Sequence, residues 1–276
     1  MQKTLLLSFF ICFSIQVFSQ TMPSVKVGED YLKITSLDIE SSIVGNIATT
    51  TYNMTFFNHE DRVLEGELAF PLGQGQSVTN FAMDVNGKMR EAVIVEKELG
   101  RVAYEATIRQ TIDPGLLEIT KGNNYKARVY PIPANSYKKL SITFEQEMNA
   151  SHGKHVYEIP FNFLDPLEFS CDILVYNTNQ HPKITKGKNL NLKFEELDGV
   201  LKGSVKKSNV LVDTSLVLEF PIGKSETVTT YDNYFNFYKL FESKTRVKQK
   251  PKRVTIFWDA SYSMKFRDLE TELELL

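Results

Sequence analysis

The chain has 276 residues, 24% of them charged and 42% hydrophobic, with a formal net charge of −2. This composition excludes a disordered chain and leaves room for one large domain or two smaller ones. Near-neutral charge argues against nucleic acid as a main partner, because phosphate binding leaves a basic excess. The 19 Phe and 12 Tyr against a single Trp suit β-rich packing.

Residues 1–19 read as a secretory signal peptide: Lys3 supplies the positive end, Leu5 to Phe18 the apolar core, and Val17 and Ser19 precede the cut. The apolar run, about 14 residues with Ser8, Ser14 and Gln16 inside it, falls short of the ~20 that a spanning helix needs. The expectation is an exported chain, in a periplasm, on a cell surface or secreted, with no transmembrane segment after signal removal. Cys12 leaves with the signal. Cys171, between Phe169 and Ile173 in a strand pattern, reads as buried rather than reactive.

From Leu32 to Phe57 the apolar positions alternate, which predicts two long strands with a break at Ser41-Ser42. Asn58 to Asp61 is a polar turn, Val63 to Phe70 a strand, and Val78 to Val85 another. Asn86-Gly87 is the strongest short hairpin signal in the chain. Val95 to Thr111 changes period: Val95, Leu99, Val102, Ala103 and Ala106 share one helical face, and Asp113-Pro114-Gly115 stops the helix. Leu116 to Thr120 and Tyr125 to Tyr130 follow as short strands. Pro131-Ile132-Pro133 cannot belong to a central strand on the strength of its prolines. Ser136 to Glu147 alternates strictly, with Leu140, Ile142 and Phe144 on one face, as a half-buried edge or antiparallel strand does.

The order of Phe56-Phe57-Asn58, Leu64-Glu65-Gly66-Glu67 running into Phe70-Pro71-Leu72, the helix with Ala103-Tyr104-Glu105, Gly115 to Glu118, and Tyr125 to Pro133 closing with Leu140-Ser141-Ile142 resembles the vault protein inter-α-trypsin (VIT) domain. The resemblance implies a mainly β, sandwich-like module with one helix and no catalytic residues, here over residues 20–148. Residues 149–243 continue as a β-rich segment, either a second sheet layer or a small domain of its own. Residues 244–253 carry six basic residues in ten around Pro251 and read as a solvated linker.

Val254 to Trp258 is a continuous apolar run of the kind a strand buried on both faces needs, and it leads into Asp259-Ala260-Ser261-Tyr262-Ser263. One carboxylate and two hydroxyls at alternate positions of such a loop can converge on a small hard cation. This Asp-x-Ser-x-Ser loop, with the polar helical start Lys265 to Leu276, resembles the opening of a von Willebrand factor A (VWA) domain, an α/β fold. The resemblance makes Asp259, Ser261 and Ser263 ligands of Mg²⁺ (or Mn²⁺) in a metal-ion-dependent adhesion site completed by an acidic residue of a protein partner. The expectation is that residues 254–276 are the start of that domain and stop inside its first helix, so that the metal binds only where the domain is complete.

Enzyme signals are poor. His152-Gly153-Lys154-His155 sits in a polar turn without zinc-protease spacing, and neither a phosphate loop nor a nucleophile elbow occurs. The sequence therefore reads as an exported, non-enzymatic interaction protein. The alternative is an envelope enzyme or enzyme subunit whose catalytic part lies beyond residue 276.

Overall fold

Alternating burial over residues 33–44 and 47–58, broken by a register shift between Ile34 and Ser36, builds two twelve-residue strands with one inward face. The computed structural model describes residues 22–241 apart from 74, 97–115, 121, 149, 162, 164, 177, 179 and 223–225, and beyond them only 252, 253, 255, 257, 268 and 271. In chain order the strands are β1 (Ser24–Val27), β2 (Asp30–Tyr31), β3 (Lys33–Val44), β4 (Ile47–Asn58), β5 (Leu64–Pro71), β6 (Gln76–Val85), β7 (Lys88–Glu91), β8 (Val93–Glu96), β9 (Leu116–Thr120) and β10 (Asn124–Ile132). They continue as β11 (Ser136–Glu147), β12 (Ala150–Ser151), β13 (Lys154–Ile159), β14 (Leu167–Tyr176), β15 (Lys183–Lys186), β16 (Lys193–Leu197), β17 (Val200–Val210), β18 (Leu216–Pro221), β19 (Glu226–Tyr231) and β20 (Tyr234–Lys239). The chain divides into two units, Met1–Leu240 and Phe241–Leu276, and all of these strands lie in the first.

An eight-stranded sheet, ordered β16-β17-β14-β3-β4-β11-β6-β7, forms one layer. A six-stranded sheet (β2-β1-β5-β10-β9-β8) and a four-stranded sheet (β12-β13-β18-β15) cover its inner face. An edge-on contact of Tyr52 with Phe70, to which Phe144 adds a tilted one, joins the first pair of layers, and Phe161, just past β13, packs edge-on against Phe169 of β14. Strands on both sides of Met148 share the large sheet: β14 pairs in parallel with β3 from Glu168↔Ser36 to Tyr176↔Val44. The segment after Met148 is thus a continuation of the same hydrogen-bonded layer and also supplies part of the second one.

Three expectations are corrected by this arrangement. The break between the first two long strands falls at Gly45-Asn46, where Gly45 has φ 63°, and not at Ser41-Ser42, both of which lie within β3. Ser41 is an inward-facing strand residue whose hydroxyl has a buried partner, so its polarity does not mark a turn. Val95 belongs to β8, which pairs in parallel with β9, because the β-branched run Val93-Ile94-Val95 suits a strand. The remaining helix positions, Leu99 to Thr111, lie outside the described residues.

The third correction concerns Pro131, which lies in β10 next to β5 and β9, in the interior of the six-stranded sheet. It is tolerated because β9 pairs only with Asn124 to Ala127, and the register against β5 shifts between Val129 and Ile132. The carbonyls that the irregularity frees are taken by side chains. Lys138 Nζ donates to Pro131 O (2.9 Å), and Asn58 Nδ2 donates to Ile132 O (3.3 Å), Pro133 O (2.9 Å) and Arg62 O (3.0 Å). Asn58 Oδ1 in turn accepts from Glu60 N at 2.9 Å. Asn58 and Lys138 are both buried, and neighbouring inward positions on β4 and β11 are apolar.

The Leu64-Glu65-Gly66-Glu67 stretch acquires a physical meaning here. Gly66 faces inward, where a Cβ would stand 2.8 Å from Val25 Cγ1 and 2.9 Å from Lys26 O, so no side chain fits. Glu65 forms a forked pair with Arg128 at 2.7 Å through each carboxylate oxygen, and Glu67 pairs with Lys126 at 2.5 Å, both on the solvent side.

Loss of the Asn58 amide leaves several buried carbonyls and one N–H without partners. Asn58→Ala should therefore lower stability in urea unfolding by about 2–4 kcal/mol, whereas Lys139→Ala, one residue from Lys138 on the solvent face, should stay within about 0.5 kcal/mol. Equal effects would contradict the assignment of Asn58 as the tie between the two turns.

Candidate functional site

Asp259, Ser261 and Ser263 lie outside the described residues. Of the apolar run before them, Thr255 and Phe257 are described; neither is in a strand, and Phe257 is 95% exposed. This differs from the expected strand buried on both faces, which requires ladder partners and covering helices that no described residue supplies to Phe257. Farther on, Asp268 Oδ1 accepts from Thr271 N (3.3 Å) and Oδ2 from Thr271 Oγ1 (2.8 Å). Thr271 is helical, and this is the bonding of a helix N-cap, inside the stretch read as a helical start. Among the described residues no group of three His, Cys, Asp or Glu is placed to hold a metal ion.

The polar side chains that the first unit does bring together are buried and mostly satisfied. Tyr157 on β13 places its hydroxyl 2.7 Å from Ser41 Oγ and 2.6 Å from Thr50 Oγ1, joining the four-stranded sheet to β3 and β4. Burial pushes the Tyr157, Tyr52 and Cys171 ionisations upward, which leaves each in its neutral form at physiological pH. Cys171 is fully buried as the sequence suggests, and a protonated, inaccessible thiol is a poor nucleophile. Tyr52 OH has no hydrogen-bond partner among the described residues. Burial also lowers the Lys138 ammonium from its ordinary range, opposed by the Asp84 carboxylate. Tyr52 also lines a small pocket with Met22, Phe70, Leu72, Gln76 and Phe144, while Tyr157 and Cys171 are enclosed in the sandwich.

The His152 to His155 stretch divides into two environments. His152 and Gly153, both with positive φ, form the exposed turn between β12 and β13, as expected of a solvated loop. His155 is not solvated: it is buried in β13, with Nδ1 3.3 Å from Met148 O and its ring 5.4 Å from that of Tyr238. The alternation of β13, which turns Tyr157 and Ile159 inward, carried that signal.

Burial lowers the His155 pKa from 6.5, against the opposing effects of the Met148 carbonyl and the Glu147 carboxylate. The unfolded chain therefore takes up this proton first as pH falls. Stability is full above the unfolded value of 6.5 and declines below it toward the folded pKa. His155→Gln should flatten that decline when urea midpoints at about pH 7.5 and about pH 5.5 are compared. An unchanged difference between the two pH values would exclude His155 as its source.

Comparison with known proteins fits this architecture. Residues 34–144 match the family model of the Vault protein inter-alpha-trypsin domain. The chain is 22% identical over 291 residues to human inter-alpha-trypsin inhibitor heavy chain H4, covering 96% of this chain and 30% of that protein. It is 23% identical over 252 residues to a von Willebrand factor A domain-containing protein of Dictyostelium discoideum, covering 80% of this chain and 26% of that one. The chain thus spans less than a third of the length of these relatives. An M1 zinc metallopeptidase of Deinococcus radiodurans is similar in structure with a TM-score of 0.43 and 10% identity, covering 77% of this chain and 47% of that chain, a likeness too distant to bear on activity. With the family match running from β3 to β11, the chain carries a VIT domain.

Proposed function

We propose that the chain is an exported, non-enzymatic interaction protein in which the VIT domain is a scaffold and residues 254–276 open a metal-dependent VWA module. The observation that carries this reading is the combination of the VIT match with an alignment over 80% of the chain to a VWA domain-containing protein. Asp259, Ser261 and Ser263 then supply one carboxylate and two hydroxyls, a set of hard oxygens suited to Mg²⁺ or Mn²⁺. The partner would be a protein presenting an acidic residue to the open coordination positions of that ion. The buried, protonated thiol of Cys171 is a poor nucleophile, which supports the non-enzymatic reading. The leading Lys3 and the apolar run after it support export.

Three oxygens on a loop are not preorganised without a surrounding sheet, and Mg²⁺ gives up its waters reluctantly. Titration calorimetry should accordingly find weak or no Mg²⁺ binding to the 276-residue chain. A chain carrying the complete VWA domain should bind Mg²⁺ or Mn²⁺, lose it on Asp259→Ala, and bind it more weakly on Ser261→Ala or Ser263→Ala. Unchanged binding after Asp259→Ala would show that the metal reading rests on the wrong residues.

A further inference from the structure

The hairpin of β19 and β20 turns large apolar side chains outward. Its ladder sets Glu226, Val228 and Thr230 opposite Lys239, Phe237 and Phe235 on one face, and Thr227 and Thr229 opposite Tyr238 and Asn236 on the other, which also carries Tyr234 at the turn, 76% exposed. The second face lies toward the body: Thr227, Thr229 and Tyr238 are half-buried, and Tyr238 packs against His155. The first face is turned outward, yet it holds the apolar side chains. Val228 is 62% exposed, Phe235 75% and Phe237 54%. Neither strand pairs with a third among the described residues, and a two-stranded ribbon by itself is marginally stable in water. Two Phe and a Val exposed side by side on one ribbon face are what a contact surface requires.

The charge pattern selects the occupant. Glu226 and Lys239, the charged residues of this face, pair with each other at its end, and the rest of the face is neutral. Asp232 stands at the turn, which disfavours an anionic membrane or a polyanion. A neutral strip of aromatic and β-branched side chains is complementary to itself. A two-fold axis can lay Phe235 of one copy over the Val228–Phe237 pair of the other, without like charges meeting. We propose that this outward face is a self-association surface through which two copies of the chain pack hairpin on hairpin. Its three large apolar side chains expose on the order of 350 Å² per copy, at ~200 Å² for a whole aromatic side chain. That is less than half of the ~800 Å² per partner of a stable complex, so the dimer is weak and reversible.

Sedimentation velocity of the full chain between about 1 and about 500 µM tests this, since weak interfaces of this size dissociate in that range. The expected result is a monomer-to-dimer transition that Phe235→Ser/Phe237→Ser weakens roughly tenfold or more. Val228→Lys is the second variant: it adds a charge that the monomer exposes to water, and it should oppose dimerisation while leaving the far-UV spectrum and urea midpoint unchanged. A chain that stays monomeric throughout, or a dimer insensitive to both substitutions, overturns the proposal. So does a monomer that instead co-sediments with vesicles of equal parts phosphatidylserine and phosphatidylcholine and loses them on Val228→Asp.

Discussion

The parallel pairing of β14 with β3 is the constraint on which the rest of the first unit depends. Without it β3 would be a twelve-residue edge strand with a row of unpaired N–H and C=O groups. With it, the sheet grows through β14, β17 and β16, and the inward residues Phe169, Cys171 and Ile173 extend the same apolar face as Leu37, Ile39 and Ile43. The four-stranded sheet then has a surface to cover. Tyr157 fixes it there by reaching Ser41 on β3 and Thr50 on β4. Residues matched by the VIT family are therefore covered and edged by residues that come after them in the chain.

The buried polar residues follow one rule. All but one answer a backbone or hydroxyl group that the strand ladder leaves over, and Asn46 donates instead to the Glu147 carboxylate. Asn58 and Lys138 take the carbonyls released where Pro131 interrupts β10 and Pro133 follows its end, which explains why a lysine sits beside Leu140 and Ile142 on the inner face of β11. His155 faces the Met148 carbonyl at the junction where β11 gives way to β12. Such groups satisfy polar atoms that burial would otherwise leave without partners.

Much of this was legible in the sequence where one strand carries its own signal. The alternation of Ile47 to Asn58 and of Ser136 to Glu147, the Asn86-Gly87 turn with positive φ at both residues, and the burial of Cys171 all follow from local pattern. What the sequence hid depends on distant partners. Ser41 looks like a turn residue until Tyr157, 116 positions away, supplies its bond. Pro131 looks incompatible with a sheet interior until the short reach of β9 and the Lys138 side chain are considered. The β19–β20 hairpin escapes strand reading because aromatic residues fall on both of its faces, Phe235 and Phe237 on one and Tyr234 and Tyr238 on the other, so no clean alternation shows. For the Asp259 loop the residue types carry the chemical argument, and the oxygen set they offer is the basis for the metal reading.

The chain thus joins a VIT domain to later strands in one β body, with an outward aromatic hairpin near its end and the Asp259 to Ser263 stretch following in sequence. The central claim is that the VIT strands and the later strands stand or fall together. Native-state hydrogen exchange tests it most directly, because amides that open only in global unfolding share one free energy. The account predicts that amides of β14 between Phe169 and Val175 exchange with the same free energy as those at the centres of β3, β4 and β11. Exchange of β14 through an opening that leaves β3, β4 and β11 protected would contradict it, and would make the VIT strands an independent folding unit.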